Sequence, residues 1–364
     1  MNGLLAVFSA EFRRIFTVLP VLAVMVGAVI LYAVFYPQPY LAEALRDVPV
    51  AIVDQDRTTA SRDLIRRLDA TESIAVADSF PDLASAERAV QGRSIYGIVL
   101  IPQQFERDLL RGQPAPVALY ADASYFLMYQ QIATGVIAVA RTMGAEIEAA
   151  RLVGIGVDST LAAAAADPLP LVAVPLFNPQ SGYATYLLPA AFVLILQQTL
   201  LMGIGLLGTL RDGLAPVGPA GYPDAVATVL GKALAYLALH TVLLPLYLIV
   251  LPALYGLPRL GNVVDLLMFA LPFVLAVSFL GLFAAALFRK PETVQFVFVA
   301  LGVPFFFLAG FIWPAAAMPP TINAIAQFVP STAAIDGFVR IGQMGATLAD
   351  VSPQVATLWM LAVL

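Results

Sequence analysis

Residues 15–36 read Ile15-Phe-Thr-Val-Leu-Pro-Val-Leu-Ala-Val-Met-Val-Gly-Ala-Val-Ile-Leu-Tyr-Ala-Val-Phe-Tyr36, 22 positions without a charge. A helix needs about 20 such residues to cross a hydrocarbon core about 30 Å thick. The stretch therefore reads as a membrane span, and it makes lipid the solvent for much of the chain. Just upstream, Phe12-Arg13-Arg14-Ile15-Phe16 resembles a twin-arginine export signal. A signal's apolar core runs about 7–15 residues, so 22 favours a retained span over a cleaved leader.

Further apolar runs follow. Residues 183–210 carry no charge, 225–255 hold only Lys232 and His240, 263–288 hold only Asp265, and 294–313 are charge-free and rich in Phe. A sixth run begins near Pro353 and reaches Leu364, 12 residues on. That is too short to cross, so the sequence is expected to stop inside its last span. The composition agrees: 60% of the 364 residues are hydrophobic and 12% charged, where soluble domains run nearer a quarter charged. The net charge of −5 offers no basic field for nucleic acid. With no cysteine, thiol catalysis, disulfides and cysteine metal sites are excluded.

Short-loop Arg and Lys set the orientation. With the N-terminus in the cytoplasm, inner segments carry Arg13, Arg14, Arg211, Arg289 and Lys290, against Arg259 and Arg340 outside. Segment 37–182 then lies outside, and a domain of that length translocates whatever its charge. Residues 126–143 are apolar enough to suggest another span, but Gln130, Gln131, Thr134 and Arg141 favour a packed helix of the outer domain.

Within 37–182 the pattern predicts strands at 48–53, 73–77, 95–101 and 117–120. Helices are predicted after the capping chemistry of Asp56–Ser61, over 82–91 and 103–110, and from 124 to about 153. Strands alternating with helices imply a small mixed or parallel sheet with helical cover. The alanines at 162–166, with Pro168, Pro170 and Pro175, predict a linker. Two readings of Asp54/Asp56 and Glu146/Glu148 stand, a catalytic carboxylate pair or helix-capping acids. The lone histidine, His240, rules out a histidine-based metal constellation, and no G-x-S-x-G elbow occurs.

The order of parts and several stretches then resemble the ABC type-2 exporter permeases with a large periplasmic domain, a group that includes bacterial multidrug efflux permeases. The likeness is carried by Ala51-Ile-Val-Asp-Gln-Asp56 with Thr59 and Ser61-Arg62, and by Tyr96-Gly-Ile-Val-Leu-Ile-Pro102 with Phe105. It continues through Phe177-Asn178-Pro179, Tyr186-Leu-Leu-Pro189 and Gln197-Gln198-Thr199. Leu308-Ala-Gly-Phe-Ile-Trp-Pro314, Met318-Pro319 and Phe328-Val-Pro330 complete it. Segment 210–224 keeps a charge pair in Arg211-Asp212 but is otherwise rich in Gly and Pro, unlike the family pattern.

The resemblance implies a polytopic α-helical membrane protein of six spans, the last truncated, with an α/β periplasmic domain inserted between spans one and two. It implies residence in the bacterial inner membrane and a permease that moves a hydrophobic or amphipathic, drug-like or lipid-like substrate. The chain has no G-x-x-x-x-G-K-[ST] loop. No cofactor is expected on it, and ATP and Mg²⁺ would sit on a separate ATP-binding cassette ATPase. A second permease copy or a paralogue would complete the pathway, and a periplasmic adaptor is a further candidate partner.

Candidate residues sort by region. Residues 1–14 read either as a cytoplasmic interfacial helix or as an extension of the first span, and 211–224 either as an ATPase-docking loop or as a plain connection. Glu11, Arg13, Arg14, Arg211 and Asp212 are the coupling candidates. Intramembrane polar groups mark pathways by default, giving Gln197, Gln198, Thr199 and His240. Interhelical hydrogen bonding and a packed histidine are the competing readings. In the resembling family, residues 314–349 would form a re-entrant outer gate, with Trp313, Pro314, Met318 and Pro319 as its candidates. Two other functions stay open: a membrane-anchored binding or assembly protein built on the outer domain, and an intramembrane enzyme.

Overall fold

The computed structural model describes residues 2–210, 225–288 and 290–364. Arg211, Asp212 and the topology-marking Arg289 lie outside the described residues. In chain order, α1 (Asn2–Thr17) is followed by α2, the candidate span Leu19–Tyr40. Helix α2 is helical over Leu19–Leu22 and Val29–Phe35, with a π-helical stretch Ala23–Ala28 between. Then come β1 (Val48–Asp54), α3 (Thr59–Asp69), β2 (Ile74–Ser79), α4 (Leu83–Gln91), β3 (Gly97–Ile101), α5 (Phe105–Leu110), β4 (Ala118–Ala121), α6 (Phe126–Gly154) and α7 (Ser159–Ala166). The remainder is helical: α8 (Tyr183–Thr209), α9 (Ala225–Leu254, with a π-helical turn Leu246–Val250), α10 (Val263–Leu287) and α11 (Pro291–Leu308), then α12 (Pro320–Ala326), α13 (Pro330–Gly342) and α14 (Ser352–Val363).

The chain divides into two compact units, Met1–Glu43 with Pro175–Leu364, and Ala44–Val174. The second is a three-layer α/β unit. Its sheet runs β2-β1-β3-β4, with β1 parallel to both β2 and β3 and β4 antiparallel to β3. The inner strand β1 is apolar from Val48 to Val53 because both faces are covered, and it ends at Asp54. Val48, Val50 and Ile52 face a core with Leu64, Leu68, Phe105, Ile132 and Val136, while Ala51 and Val53 face Ala86, Ile95 and Ile98. Helices α3 and α4 start where side chains satisfy their free N–H groups. Thr58 and Ser61 form a capping box, and Asp82 accepts from the Ser85 N–H at 2.8 Å.

The first unit holds five helices long and apolar enough to cross a membrane: α2, α8, α9, α10 and α11. Helix α14 has 12 residues and packs on α10 and α13. Helix α8 is the hub. It is 83% buried along its most apolar stretch, against 22% for α2 and 17% for α11. Small residues let its neighbours close in: a Cβ at Gly208 would sit 2.5 Å from the Ala285 Cβ of α10.

Of the boundaries that differ from the sequence reading, three have a clear local cause. The first helix does not give way to a span after Arg14; it runs to Thr17 and breaks at Val18, which is extended at φ −90°, ψ 102°. Pro20 lacks the N–H a continuous helix would use there. The alanines at 162–166 are not linker but the second half of α7, capped by Asp158 through the N–H groups of Thr160 and Leu161. Alanine has the highest helix propensity, and the helix stops at Asp167 ahead of Pro168. The fifth apolar helix ends at Leu308 rather than reaching Trp313, because Gly310 turns the chain in the left-handed region at φ 81°.

Candidate functional site

Helix α8 sorts the candidate residues along its length. At its C-terminal end, α1 delivers Glu11 and Arg14. The Arg14 guanidinium donates through Nη2 to the carbonyls of Leu207 at 3.1 Å and Leu210 at 3.4 Å, where free carbonyls and the negative end of the helix dipole favour a cation. Its Nη1 meets Glu11 Oε2 at 3.1 Å, and Glu11 Oε1 accepts from the Tyr236 hydroxyl of α9 at 2.5 Å. Arg13 faces outward and is exposed.

At the N-terminal end of α8, Glu43 accepts from Thr185 and the Gln343 amide donates to the Thr185 carbonyl at 2.5 Å. The Tyr186 hydroxyl donates to the Phe311 carbonyl, two residues before Trp313. Trp313 is 58% exposed, and its Nε1 reaches the Ala317 carbonyl at 3.5 Å. Pro314 leads into a single 3-10 turn, Ala315–Ala317, after which Met318 and Pro319 are extended into α12. The outer-gate candidates thus share one short stretch next to the start of α8. From Thr185 to Leu207 is 22 residues, about 33 Å at 1.5 Å per residue, close to the roughly 30 Å of a bilayer's hydrocarbon core.

Between the ends lie the intramembrane polar residues, and each bonds to protein, although the buried Gln197 Oε1 has no partner of its own among the described residues. Gln197 is fully buried and donates through Nε2 to Ser331 Oγ of α13 at 3.0 Å. The Gln198 amide donates to the Phe298 carbonyl of α11, and Gln295 of α11 returns a bond to the Met202 carbonyl at 2.7 Å. The Thr199 hydroxyl bonds back to the Ile195 carbonyl of its own helix at 2.7 Å. His240 is 2% exposed, and its Nδ1 lies 2.9 Å from the Tyr236 carbonyl. A carbonyl can only accept, so Nδ1 carries the proton there. The three α8 residues and His240 do not converge on a common cavity among the described residues. Sequence reading missed Tyr236, Ser331, Gln295, Glu43 and Gln343, because a lone polar residue in an apolar run does not announce which helix it faces.

In the α/β unit Asp54 and Asp56 hold free N–H and hydroxyl groups at the starts of turns and helices. Asp54 Oδ1 accepts the N–H groups of Asp56 at 3.0 Å and Arg57 at 2.9 Å, and its Oδ2 accepts from Ser61 Oγ at 2.8 Å. Asp56 Oδ2 accepts from the Thr58 hydroxyl at 2.6 Å and from the Glu106 N–H at 2.9 Å. Desolvation works to raise the Asp56 carboxyl, but these donors outweigh it and hold the group below the usual carboxylate range. A low, hydrogen-bonded carboxylate is a poor general acid. Glu146 pairs with Arg67 and Glu148 with Arg151. Among the described residues no three His, Asp or Glu gather as a metal site.

Comparison with known proteins completes the assignment. The chain is 25% identical over 325 residues to the linearmycin resistance permease protein LnrN of Bacillus subtilis (strain 168), covering 84% of this chain and 82% of that one. Residues 12–364, nearly the whole chain, match the ABC-2 family transporter proteins. With its apolar helices, this is a multi-pass helical membrane protein and a transporter permease rather than an enzyme in its own right. The chain belongs to the ABC-2 transporter family.

Proposed function

We propose that the chain is the permease subunit of an ATP-driven exporter and moves a hydrophobic or amphipathic substrate out of the cytoplasm or the inner leaflet. ATP and Mg²⁺ are held by a separate ATP-binding cassette subunit that docks at the C-terminal end of α8, on the side of Arg13 and of segment 211–224 with Arg211 and Asp212. That end faces the cytoplasm, the α/β unit lies in the periplasm, and Trp313, Pro314, Met318 and Pro319 border the outer exit. A second permease, the same chain or a paralogue, closes the pathway, because α2 and α11 present mostly unburied apolar faces. An adaptor on the periplasmic unit is a further partner of this arrangement.

The observation that carries the reading is the separation of charged and polar anchor sites to the two ends of α8, one membrane thickness apart. The likeness to a protein named as a resistance permease supports the export reading. The test is purification of the tagged chain from its native membranes under mild detergent. A second chain that photolabels with an azido-ATP analogue and hydrolyses ATP faster with this permease than without it supports the proposal. Recovery of the chain with no ATP-hydrolysing partner removes it, leaving an anchored assembly protein as the better account.

A further inference from the structure

Glu11 is the one carboxylate among the described residues that is nearly sealed from solvent, at 3% exposure. A buried charge is costly unless each of its oxygens finds a donor. Here the donors come from two places. Tyr236 of α9 serves Oε1 at 2.5 Å, and Arg14, three residues on, serves Oε2 at 3.1 Å. The same guanidinium reaches across to the last carbonyls of α8. One carboxylate therefore ties α1, α8 and α9 into a single hydrogen-bonded unit.

Packing supports the same unit. Gly231 of α9 lies so close to α1 that a Cβ there would sit 2.9 Å from both the Leu4 carbonyl oxygen and the Val7 Cβ. Tyr236 is fully buried five residues further along α9. Arg13 and Ser9 point away from this contact and are exposed. Helix α1 thus has a locked face and a free face.

We propose that Glu11 is a positioning residue that, with Tyr236 and Arg14, fastens α1 to the C-terminal end of α8 and to the first half of α9, so that a push on the free face of α1 moves both spans as one body. The inference rests on the permease reading above and divides its coupling candidates. Arg13 belongs to the contact surface, while Glu11 and Arg14 transmit from behind it.

The absence of cysteine makes the test direct. A single Val7→Cys in the full chain, in native membrane vesicles opened to expose both faces, is labelled with a charged maleimide. Val7 sits under α1 at 9% exposure, so labelling is slow. Adding Tyr236→Phe or Glu11→Gln is expected to speed it at least ten-fold, and Ser9→Ala to leave it unchanged. Equal rates in all four overturn the lock, whatever the fate of the permease reading.

Transmission is read at the far end of α8 with Ser181→Cys, in the complex with the co-purified ATPase. Mg-ATP with vanadate is expected to change its labelling rate. Tyr236→Phe should cut that change to under a third while the ATPase is retained and still hydrolyses ATP, an effect that general destabilisation would not separate. A Ser181→Cys response that is absent in the otherwise unaltered chain, or undiminished by Tyr236→Phe, overturns transmission. Failure of any ATPase to co-purify strikes the permease reading instead and leaves the Val7→Cys result standing as the test of the lock.

Discussion

The Glu43 carboxylate caps the N-terminus of α8 from outside that helix, accepting the Thr185 N–H at 3.2 Å and the Thr185 hydroxyl at 2.8 Å. Gly182, the residue before α8, has no capping side chain of its own, and a Cβ there would fall 1.8 Å from Glu43 Oε2. Only glycine admits the cap. Glu43→Ala is expected to lower stability by about 1–2 kcal/mol, the usual worth of a helix cap with a charged acceptor. Thermal unfolding in detergent measures it, and Gly182→Ala should show a loss of the same sign because it displaces the same carboxylate.

Gly208 tests the small-residue contact between α8 and α10. Its neighbour is a Cβ fixed to backbone rather than a flexible tip, so the strain cannot be relieved by a rotamer change. Gly208→Val should cost about 1–3 kcal/mol, the range for overpacking. Gly144, on α6 of the α/β unit with nothing within 4 Å, should accept the same change with far less effect. Comparison of the two melting temperatures decides.

Tyr247 of α9 and Tyr255, just past its end, bond the carbonyls of α2. The Tyr247 hydroxyl donates to Val29, just past the π-helical stretch, and the Tyr255 hydroxyl donates to Ala33 at 3.0 Å. Tyr247→Phe and Tyr255→Phe should each cost about 0.6 kcal/mol, the average for interhelical hydrogen bonds in membranes. Tyr247→Phe should cost more of the two, since Tyr247 is fully buried and Tyr255 only partly. Denaturant titration of the single and double variants reads both.

Asp56 makes the α/β unit sensitive to acid. Its folded carboxyl lies below the usual value, about 3.9 in the unfolded chain. Its contribution is therefore complete above that unfolded value and is lost as pH falls through the folded one. Asp56→Asn should weaken the unit at neutral pH and flatten its response to acid. Hydrogen exchange of the first turns of α3 and α5, compared at pH 7 and about pH 3.5, is the measurement.

Orientation is tested by single cysteines at exposed positions, Gln91→Cys in the α/β unit and Ser9→Cys on α1. An impermeant maleimide should label Gln91→Cys in intact spheroplasts and Ser9→Cys only after permeabilisation. The opposite pattern would overturn the placement of residues 37–182 outside the cytoplasm.

The α/β unit was legible because its signals are local. The run at 48–53 needed nothing beyond its own residues to read as a buried strand, and Asp82 announced α4. The spans were legible as lengths but not as partners. Nothing in residues 225–255 distinguishes Tyr236, which holds a carboxylate, from Tyr255, which holds a carbonyl. Glu11 looked like one of several charges on a surface helix, and its burial depends on residues more than 220 positions away. The π-helical stretches 23–28 and 246–250 left no mark in an apolar sequence, because a widened turn is set by the neighbour it packs on rather than by composition.

Enclosure of α8 changes how its mutants must be interpreted. A polar side chain sealed among other helices cannot exchange a protein partner for water, so truncating Gln197 strands the Ser331 hydroxyl, while truncating Thr199 opens a gap but leaves the Ile195 carbonyl held by its own helix. Inactive variants at these positions would report a damaged scaffold before they reported a blocked passage. Residues that touch cargo are better sought on α2 and α11, whose uncovered flanks can change company without unfolding the bundle.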